Sequence, residues 1–374
     1  MTAPTGLYVH LPFCVSRCGY CTFAVTTDRR PMDRYLKALE AELPLSMPVQ
    51  GTPLETLYLG GGTPSYLPPG RLSGLLAAVR RRHPLAAGAE VTSEANPDDV
   101  GPGLLEEWAA AGVNRISIGV QSFVDRELAV LDRRHDAATA RRAVAAALEH
   151  GPFQVNVDLI LAVPGQAPES LRRTLDELIA LAPHHVSVYL LEMDKPHRLR
   201  RLWERCPEAF PDEEAAAAAY LTVHDRLTAA GYHHYEVSNF ARAGCRSAHN
   251  LRYWRCRPVH ALGLAAHGQE PGRRWANLGT LDGYLAAVER GERPVAWERR
   301  LGAAERRAET ALLGLRLAEG ISARLARSLA AQRPEFGDRL EAFLDLGLAV
   351  EEGDRIRLTP RGWLVSNELL SGLV

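Results

Sequence analysis

Three of the six cysteines in this 374-residue chain fall within eight positions, as Cys14, Cys18 and Cys21 in CVSRCGYC. Thiolates spaced this closely can all face one centre, and soft sulfur ligands suit an iron–sulfur cluster or zinc. A structural zinc site wants a fourth ligand, which His10 could supply. A cubane held by three cysteines instead leaves one iron open to a small ligand. Other residues able to do chemistry or to admit a ligand recur at or near the ends of apolar runs: Gly60–Thr63, Glu94, Gln121 and Asp158. Farther on, His249-Asn250-Leu251-Arg252-Tyr253-Trp254 sets an imidazole beside two aromatic rings, which by itself reads as core packing around a hydrogen-bonded histidine. Cys245, four residues upstream, is a further thiolate source, while Cys206 and Cys256 read as incidental.

The elements that must position these residues alternate. Short apolar runs stand at Leu7–Leu11, Leu54–Leu59, Glu90–Glu94, Arg115–Val120, Gln154–Leu161 and Val186–Leu191. Between them lie helical patterns at Asp33–Leu43, Arg71–Arg81, Gly103–Ala111, Ala137–His150 and Glu169–Leu181, with stop signals at Gly112 and Gly151. Six βα units predict a parallel sheet with right-handed crossovers, either open and doubly wound or a partial barrel. The chemical residues sit at or just beyond strand ends, as ligand-binding residues do in barrels, so the expected fold is α/β, a partial (β/α)6 barrel. The pattern changes after Glu192, with a helix at Glu213–Ala230. The last stretch shows helices at Ala303–Ala318, Ala323–Ala330 and Phe336–Leu346. A hairpin turning at Gly353-Asp354 follows, which together make a small winged-helix-like α+β domain. The expected division is therefore 1–195, 196–300 and 301–374.

Composition narrows the classes. Hydrophobic residues at 46% and charged residues at 24% fit a globular protein with a real core. A net charge of −1 argues for no nucleic-acid partner, and the winged-helix shape does not reverse that. No run approaches the length of a membrane span, and the opening MTAPTGLYVHLPF lacks the order of a secretory signal, so stable membrane insertion is not expected and the chain reads as cytoplasmic. Cysteines this sparse make no disulfide scaffold.

The C-x3-C-x2-C loop after strand one resembles that of the radical S-adenosylmethionine (SAM) superfamily. The stretches YVHLPFCVSRCGYCTF, GGGTPS, SEANP, GVQSF, RRHD and NVDLILAVPGQ are similar, in order, to those of the oxygen-independent coproporphyrinogen III oxidase-like family and its haem chaperone HemW branch. The resemblance implies a 4Fe-4S cluster on Cys14, Cys18 and Cys21. SAM would chelate the open iron, and one electron would cleave it to methionine and a 5′-deoxyadenosyl radical. It further implies SAM contacts from Gly61, Gly62, Thr63, Glu94, Gln121, Arg133 and Asp158. Arg133 would meet the carboxylate as a guanidinium fork, and Asp158 the ribose hydroxyls. Tyr8, Tyr20 and Phe23 flank the cluster, where aromatics can shield it or stack on adenine, and no catalytic residue is assigned.

Position 23 separates the two branches. The oxidase loop carries a fourth cysteine there, whereas this chain has Phe23, as in the chaperone branch. The chain also starts only 13 residues before Cys14, without the oxidase's longer leading segment. The H-N-x-x-Y-W run resembles the chaperone's haem motif, which makes His249 the haem ligand. Relatives have a GxGAGAH-like stretch soon after, where this chain reads ALGLAAHG from Ala261 to Gly268. The expected function is a haem carrier that delivers haem to acceptor haemoproteins, with a homodimer among its possible assemblies. Cluster occupancy is expected to gate transfer or dimer formation. The alternative is an oxygen-independent coproporphyrinogen III oxidase.

Overall fold

The structure is a computed structural model describing residues 5–373; Val374 and the first four residues of the opening stretch tested for a secretory signal lie outside the described residues. The six expected units appear in chain order. They are β1 (Thr5–Leu11), α1 (Met32–Ser46), β2 (Leu54–Gly61), α2 (Arg71–Arg82), β3 (Leu85–Ala95), α3 (Pro102–Ala110), β4 (Arg115–Gln121), α4 (Asp125–Val130), α5 (Ala137–Glu149), β5 (Gln154–Leu161), α6 (Pro168–Leu181) and β6 (His185–Leu190). The strands pair in parallel and in sequential order from β1 to β6. An order that never reverses, with right-handed crossovers, sends the connecting helices to one face of the sheet. Alternate strand residues such as Leu7, Val9, Leu57, Leu59, Ile116, Ile118, Val155 and Val157 pack there with Leu36, Leu39, Leu75, Val144 and Leu175. The other alternation, including Tyr58, Glu94, Ser117, Gly119 and Asp158, looks into the concave side.

Residues 196–300 extend this sheet at both edges. After α7 (Arg198–Trp203) and α8 (Glu213–Ala229), β7 (His233–Glu236) and β8 (Asn239–Ala241) form a hairpin, and β8 pairs antiparallel with β6. Following α9 (Ala248–Trp254), β9 (Val259–Leu262) runs parallel to β1. Then β10 (His267–Glu270), β11 (Arg273–Asn277), α10 (Leu281–Glu289) and β12 (Val295–Arg300) complete that side. Among the described residues the result is a mixed twelve-stranded sheet ending in β12 and β7, which do not pair, so the barrel stays open. Strands such as HHYE and HGQE carry no apolar alternation, and an available strand edge selects their conformation.

The last segment comprises α11 (Ala303–Gly314), β13 (Ile321–Ser322), α12 (Ala323–Gln332), α13 (Pro334–Asp345), β14 (Ala349–Glu352), β15 (Arg355–Leu358), α14 (Pro360–Leu364) and α15 (Ser366–Leu370). Its own core gathers Ala311, Leu315, Phe336, Leu340, Ile356 and Trp363. Helix α11 stops four residues short of the expected Ala318. The chain turns at Gly320, whose φ is +59° and where a Cβ would lie 2.0 Å from the Ile356 carbonyl oxygen.

One buried carboxylate ties α1 to the later strands. Glu42 accepts from Gly263 N–H (2.8 Å), Tyr284 O–H (2.7 Å) and Asn277 Nδ2 (2.7 Å). Burial pushes its pKa up to about 7 despite these donors. Glu42→Ala leaves three buried donors without this acceptor and is expected to cost about 3 kcal/mol in thermal or denaturant unfolding. The folded pKa lies above the unfolded one, so the protonated group's contribution is full below about pH 4.5 and lost as pH rises through about 7. The penalty of the mutation should therefore be larger at about pH 5 than at about pH 8.

Candidate functional site

The carboxyl ends of β1 to β6 surround one open cavity of about 490 Å³. The cluster loop after β1 forms one wall and is pinned at both ends. Cys14 N–H donates to Thr26 O (3.0 Å), and Thr26 N–H donates to Pro12 O (2.8 Å). His10 Nε2 donates to Ala24 O (2.8 Å) while its Nδ1 accepts from Tyr8 O–H (3.0 Å). Between these anchors Cys14, Cys18 and Cys21 all line the cavity, as free thiols. Thr63 O–H donates to Cys14 Sγ (3.4 Å) and Arg133 Nη1 to Cys18 Sγ (3.3 Å). Burial pushes the Cys14 thiol up to about 11 and raises Cys21 as well. Both stay protonated at neutral pH unless a metal displaces the proton.

Cys14, Cys18 and Cys21 share one wall of the cavity, and three soft sulfur donors are the set that an iron–sulfur cluster takes.

The facing wall comes from β2 and β3. Glu94 Oε1 accepts from Tyr58 O–H (2.8 Å), and its Oε2 accepts from Gly61 N–H (3.0 Å). Burial, with Asp158 nearby, lifts Glu94 to about 7. The backbone N–H groups at the end of β2 and just beyond it are bonded within the protein. Gly61 N–H goes to Glu94, Gly62 N–H to Leu11 O (2.8 Å) and Thr63 N–H to Phe13 O (2.9 Å). The need for glycine is steric. At Gly61, with φ +103°, a Cβ would lie 2.3 Å from the His10 ring; at Gly62, 2.6 Å from Leu11 O. At Gly60 it would meet the Glu94 carboxylate at 2.6 Å.

The remaining wall is a polar network. Asp158 accepts from Ser117 O–H (3.0 Å) and Asn156 Nδ2 (2.8 Å), and burial still raises its pKa. Arg133 Nη2 donates to Asn96 Oδ1 (2.6 Å) and to Gly119 O (2.6 Å), while its Nε is buried without a partner among the described residues. Gln121 closes β4 in the left-handed region, φ 71°, where backbone strain marks a constrained site. Tyr20 stands beside Arg133, with Nη1 3.4 Å from its hydroxyl, and Phe23 projects from the rim, 63% exposed.

Of the residues singled out from sequence, the three cysteines, Tyr20, Phe23, Gly61, Gly62, Thr63, Glu94, Gln121, Arg133 and Asp158 line this cavity. Tyr8 and His249 do not. Tyr8 lies behind it as the support of His10. His249 is only 2% exposed, with Nδ1 hydrogen-bonded to Thr56 Oγ1 (2.9 Å) and its ring stacked on Tyr58 at 5.1 Å. Burial pushes His249 down to about 3, so it is neutral, and its Nε2 is buried without a partner among the described residues. Tyr58, Ser117, Asn96 and Tyr189 line the cavity but were not anticipated. Tyr58 and Ser117 stand two residues before Gly60 and Gly119, so strand alternation carried that signal.

Comparison with known proteins fits this geometry. The family model described as the radical SAM superfamily matches residues 8–178, and that for the HemN C-terminal domain matches residues 301–365. The heme chaperone HemW of Mycobacterium tuberculosis is 40% identical over 99% of this chain and 95% of its own length. That of Bacillus subtilis is 32% identical over 98% of each chain. Among solved structures, the Escherichia coli coproporphyrinogen III oxidase HemN superposes with a TM-score of 0.85. It is 24% identical, with 99% of this chain and 90% of that chain covered, a likeness of fold.

The steric account of the glycines is checked by Gly61→Ala. Strain at φ +103° and the collision with His10 are expected to destabilise the cluster-free protein by about 3 kcal/mol. Thermal unfolding without metal or SAM measures this. An unchanged melting temperature would return the glycine requirement to a ligand.

Proposed function

This chain belongs to the radical SAM superfamily and, within it, to the family of the heme chaperones HemW; from that premise we propose that it carries haem and delivers it to acceptor haemoproteins. The full-length likeness to relatives bearing that name carries the reading. Phe23, where the oxidase branch has its fourth cluster-loop cysteine, favours the carrier over porphyrinogen oxidation. Cys14, Cys18 and Cys21 would hold a 4Fe-4S cluster, and SAM would occupy the rest of the cavity. When bound, such a cluster supplies one electron and an open iron site for the amino and carboxylate groups of SAM.

The chain's own residues then bind and orient. Arg133, its Nη2 held by Asn96 and the Gly119 carbonyl, would offer Nη1 to a carboxylate in exchange for its present contacts with Cys18 Sγ and the Tyr20 hydroxyl. Asp158, held by Ser117 and Asn156, keeps lone pairs for ribose hydroxyls. Glu94 and Gln121 add acceptor and amide contacts from neighbouring strand ends. In the carrier reading His249 ligates haem iron. Its closed position means that ligation requires α9 to withdraw from Thr56 and Tyr58.

Anaerobic titration of cluster-reconstituted protein with haem, followed by visible absorption, tests the carrier reading. Saturation near one haem per chain is expected, with a weaker or spectrally altered complex for His249→Ala. A mutant equal to wild type would remove His249 as ligand and leave the carrier standing, whereas no saturable binding by wild type would sink the carrier. Cluster gating predicts that haem transfer to an apo-haemoprotein is lost when Cys14, Cys18 and Cys21 are all replaced by alanine; undiminished transfer would refute it.

A further inference from the structure

In its closed position the His249 ring has neighbours that bear on the SAM site. The helix that carries it is docked on the barrel through β3: Glu90 accepts from Ala248 N–H (2.9 Å) and His249 N–H (2.8 Å). Arg115 on β4 approaches the same carboxylate at 3.9 Å and donates to Cys245 O (3.1 Å) just before the helix. So anchored, the imidazole lies nearly parallel to the Tyr58 ring, 27° between planes, with Tyr253 packed edge-on at 5.5 Å. The Tyr58 ring also lies 6.0 Å from that of Tyr8. Tyr58 therefore stands between His249 and the cavity, and its hydroxyl meets Glu94, which in turn takes the Gly61 N–H.

We infer that His249 is a positioning residue for the SAM site, its ring fixing Tyr58 and, through the Tyr58 hydroxyl, the Glu94 carboxylate that faces SAM. The inference rests on the reading of the cavity as a SAM site and concerns the closed position, with His249 seated on Thr56 and Tyr58. Three observations favour ring packing over acid–base or ligand chemistry in this arrangement. The ring is neutral and sealed from solvent; its Nε2 has no partner among the described residues; and what it offers Tyr58 is a face. A planar ring held on a tyrosine limits the angles that tyrosine can adopt, which sets where its hydroxyl points. Glu94 has only the Tyr58 hydroxyl and the Gly61 N–H as hydrogen-bond donors among the described residues, so freeing Tyr58 loosens the carboxylate directly.

The test uses cluster-reconstituted wild type, His249→Ala, His249→Leu and His249→Phe, with iron content and melting temperature measured alongside. SAM affinity is read by equilibrium dialysis, and SAM's approach to the cluster by the change it makes in the electron paramagnetic resonance spectrum of the reduced protein. His249→Phe keeps a ring face, in a somewhat larger ring, and removes both nitrogens and with them the Thr56 bond; it should bind SAM within about twofold of wild type and show the same spectral change. His249→Ala should bind roughly tenfold more weakly, with a diminished spectral change, at unaltered iron content. His249→Leu, which keeps the volume and guards against misfolding, should resemble Ala because it offers no ring face. Wild-type SAM affinity in the Ala and Leu proteins would overturn the inference while leaving the cofactor reading intact. A Phe protein as weak as Ala would overturn it too, by showing that ring packing is not what matters. Absence of SAM binding by wild type would overturn the cofactor reading itself, and this inference with it.

Discussion

The fold depends on one constraint of the parallel sheet: six strands in unreversed order, joined by right-handed crossovers, can be covered by helices on one face only. That face takes the apolar half of each strand's alternation. The other half cannot be covered in the same way and is left polar, lining the concave side with Glu94, Ser117, Asn156, Asp158 and Ser187. Polar groups buried there must satisfy one another, and largely do. Asn156 bonds Ser117, Asp158 and Ser187, while His185 links Asn156 to Tyr235. The cavity is thus an outcome of topology, with its polarity set by strand register.

Around that cavity, backbone amides serve the fold and side chains are left for ligands. The Gly61, Gly62 and Thr63 N–H groups stitch β2 to β3 and to the cluster loop. In exchange, that loop is fixed against a strand end, with the Thr63 hydroxyl and Arg133 directed at two of its sulfurs. His10, Tyr8 and Ala24 fix its far end in the same manner. A loop bearing three ligands must be held from several sides to present them consistently, and here β1, β2 and the β4–α5 connection share the task.

The segment after β6 acts from outside the strand ends. Its strands extend both sheet edges, and α9 brings His249 in behind the β2 wall. One ring therefore faces two demands, from haem in the carrier reading and from the Tyr58 wall in the closed protein. The last segment keeps a separate core but touches this region where Trp363 packs edge-on against His234, 4.6 Å between centroids.

Much of this was written in the order of residues. The six βα units, the Gly353-Asp354 hairpin and the cysteine loop are local patterns, set by side-chain alternation and by spacing within a few residues of one another. Strand-end position then brought Glu94, Gln121 and Asp158 to the same cavity as the cysteines, because parallel strands place their carboxyl ends together. The boundaries of β3 and α11, the short helix α4 and the added strands β7 to β12 were not legible, since edge pairing and packing from distant residues decide them. Likewise, that the glycine N–H groups are internally bonded, that Tyr8 supports His10 and that His249 is sealed behind Tyr58 depends on contacts spanning up to 193 positions. Residue types and near spacing determined which chemistry this chain can do; only the tertiary structure decided which of those groups face the cavity, because burial and hydrogen-bond partners arise between elements far apart in sequence.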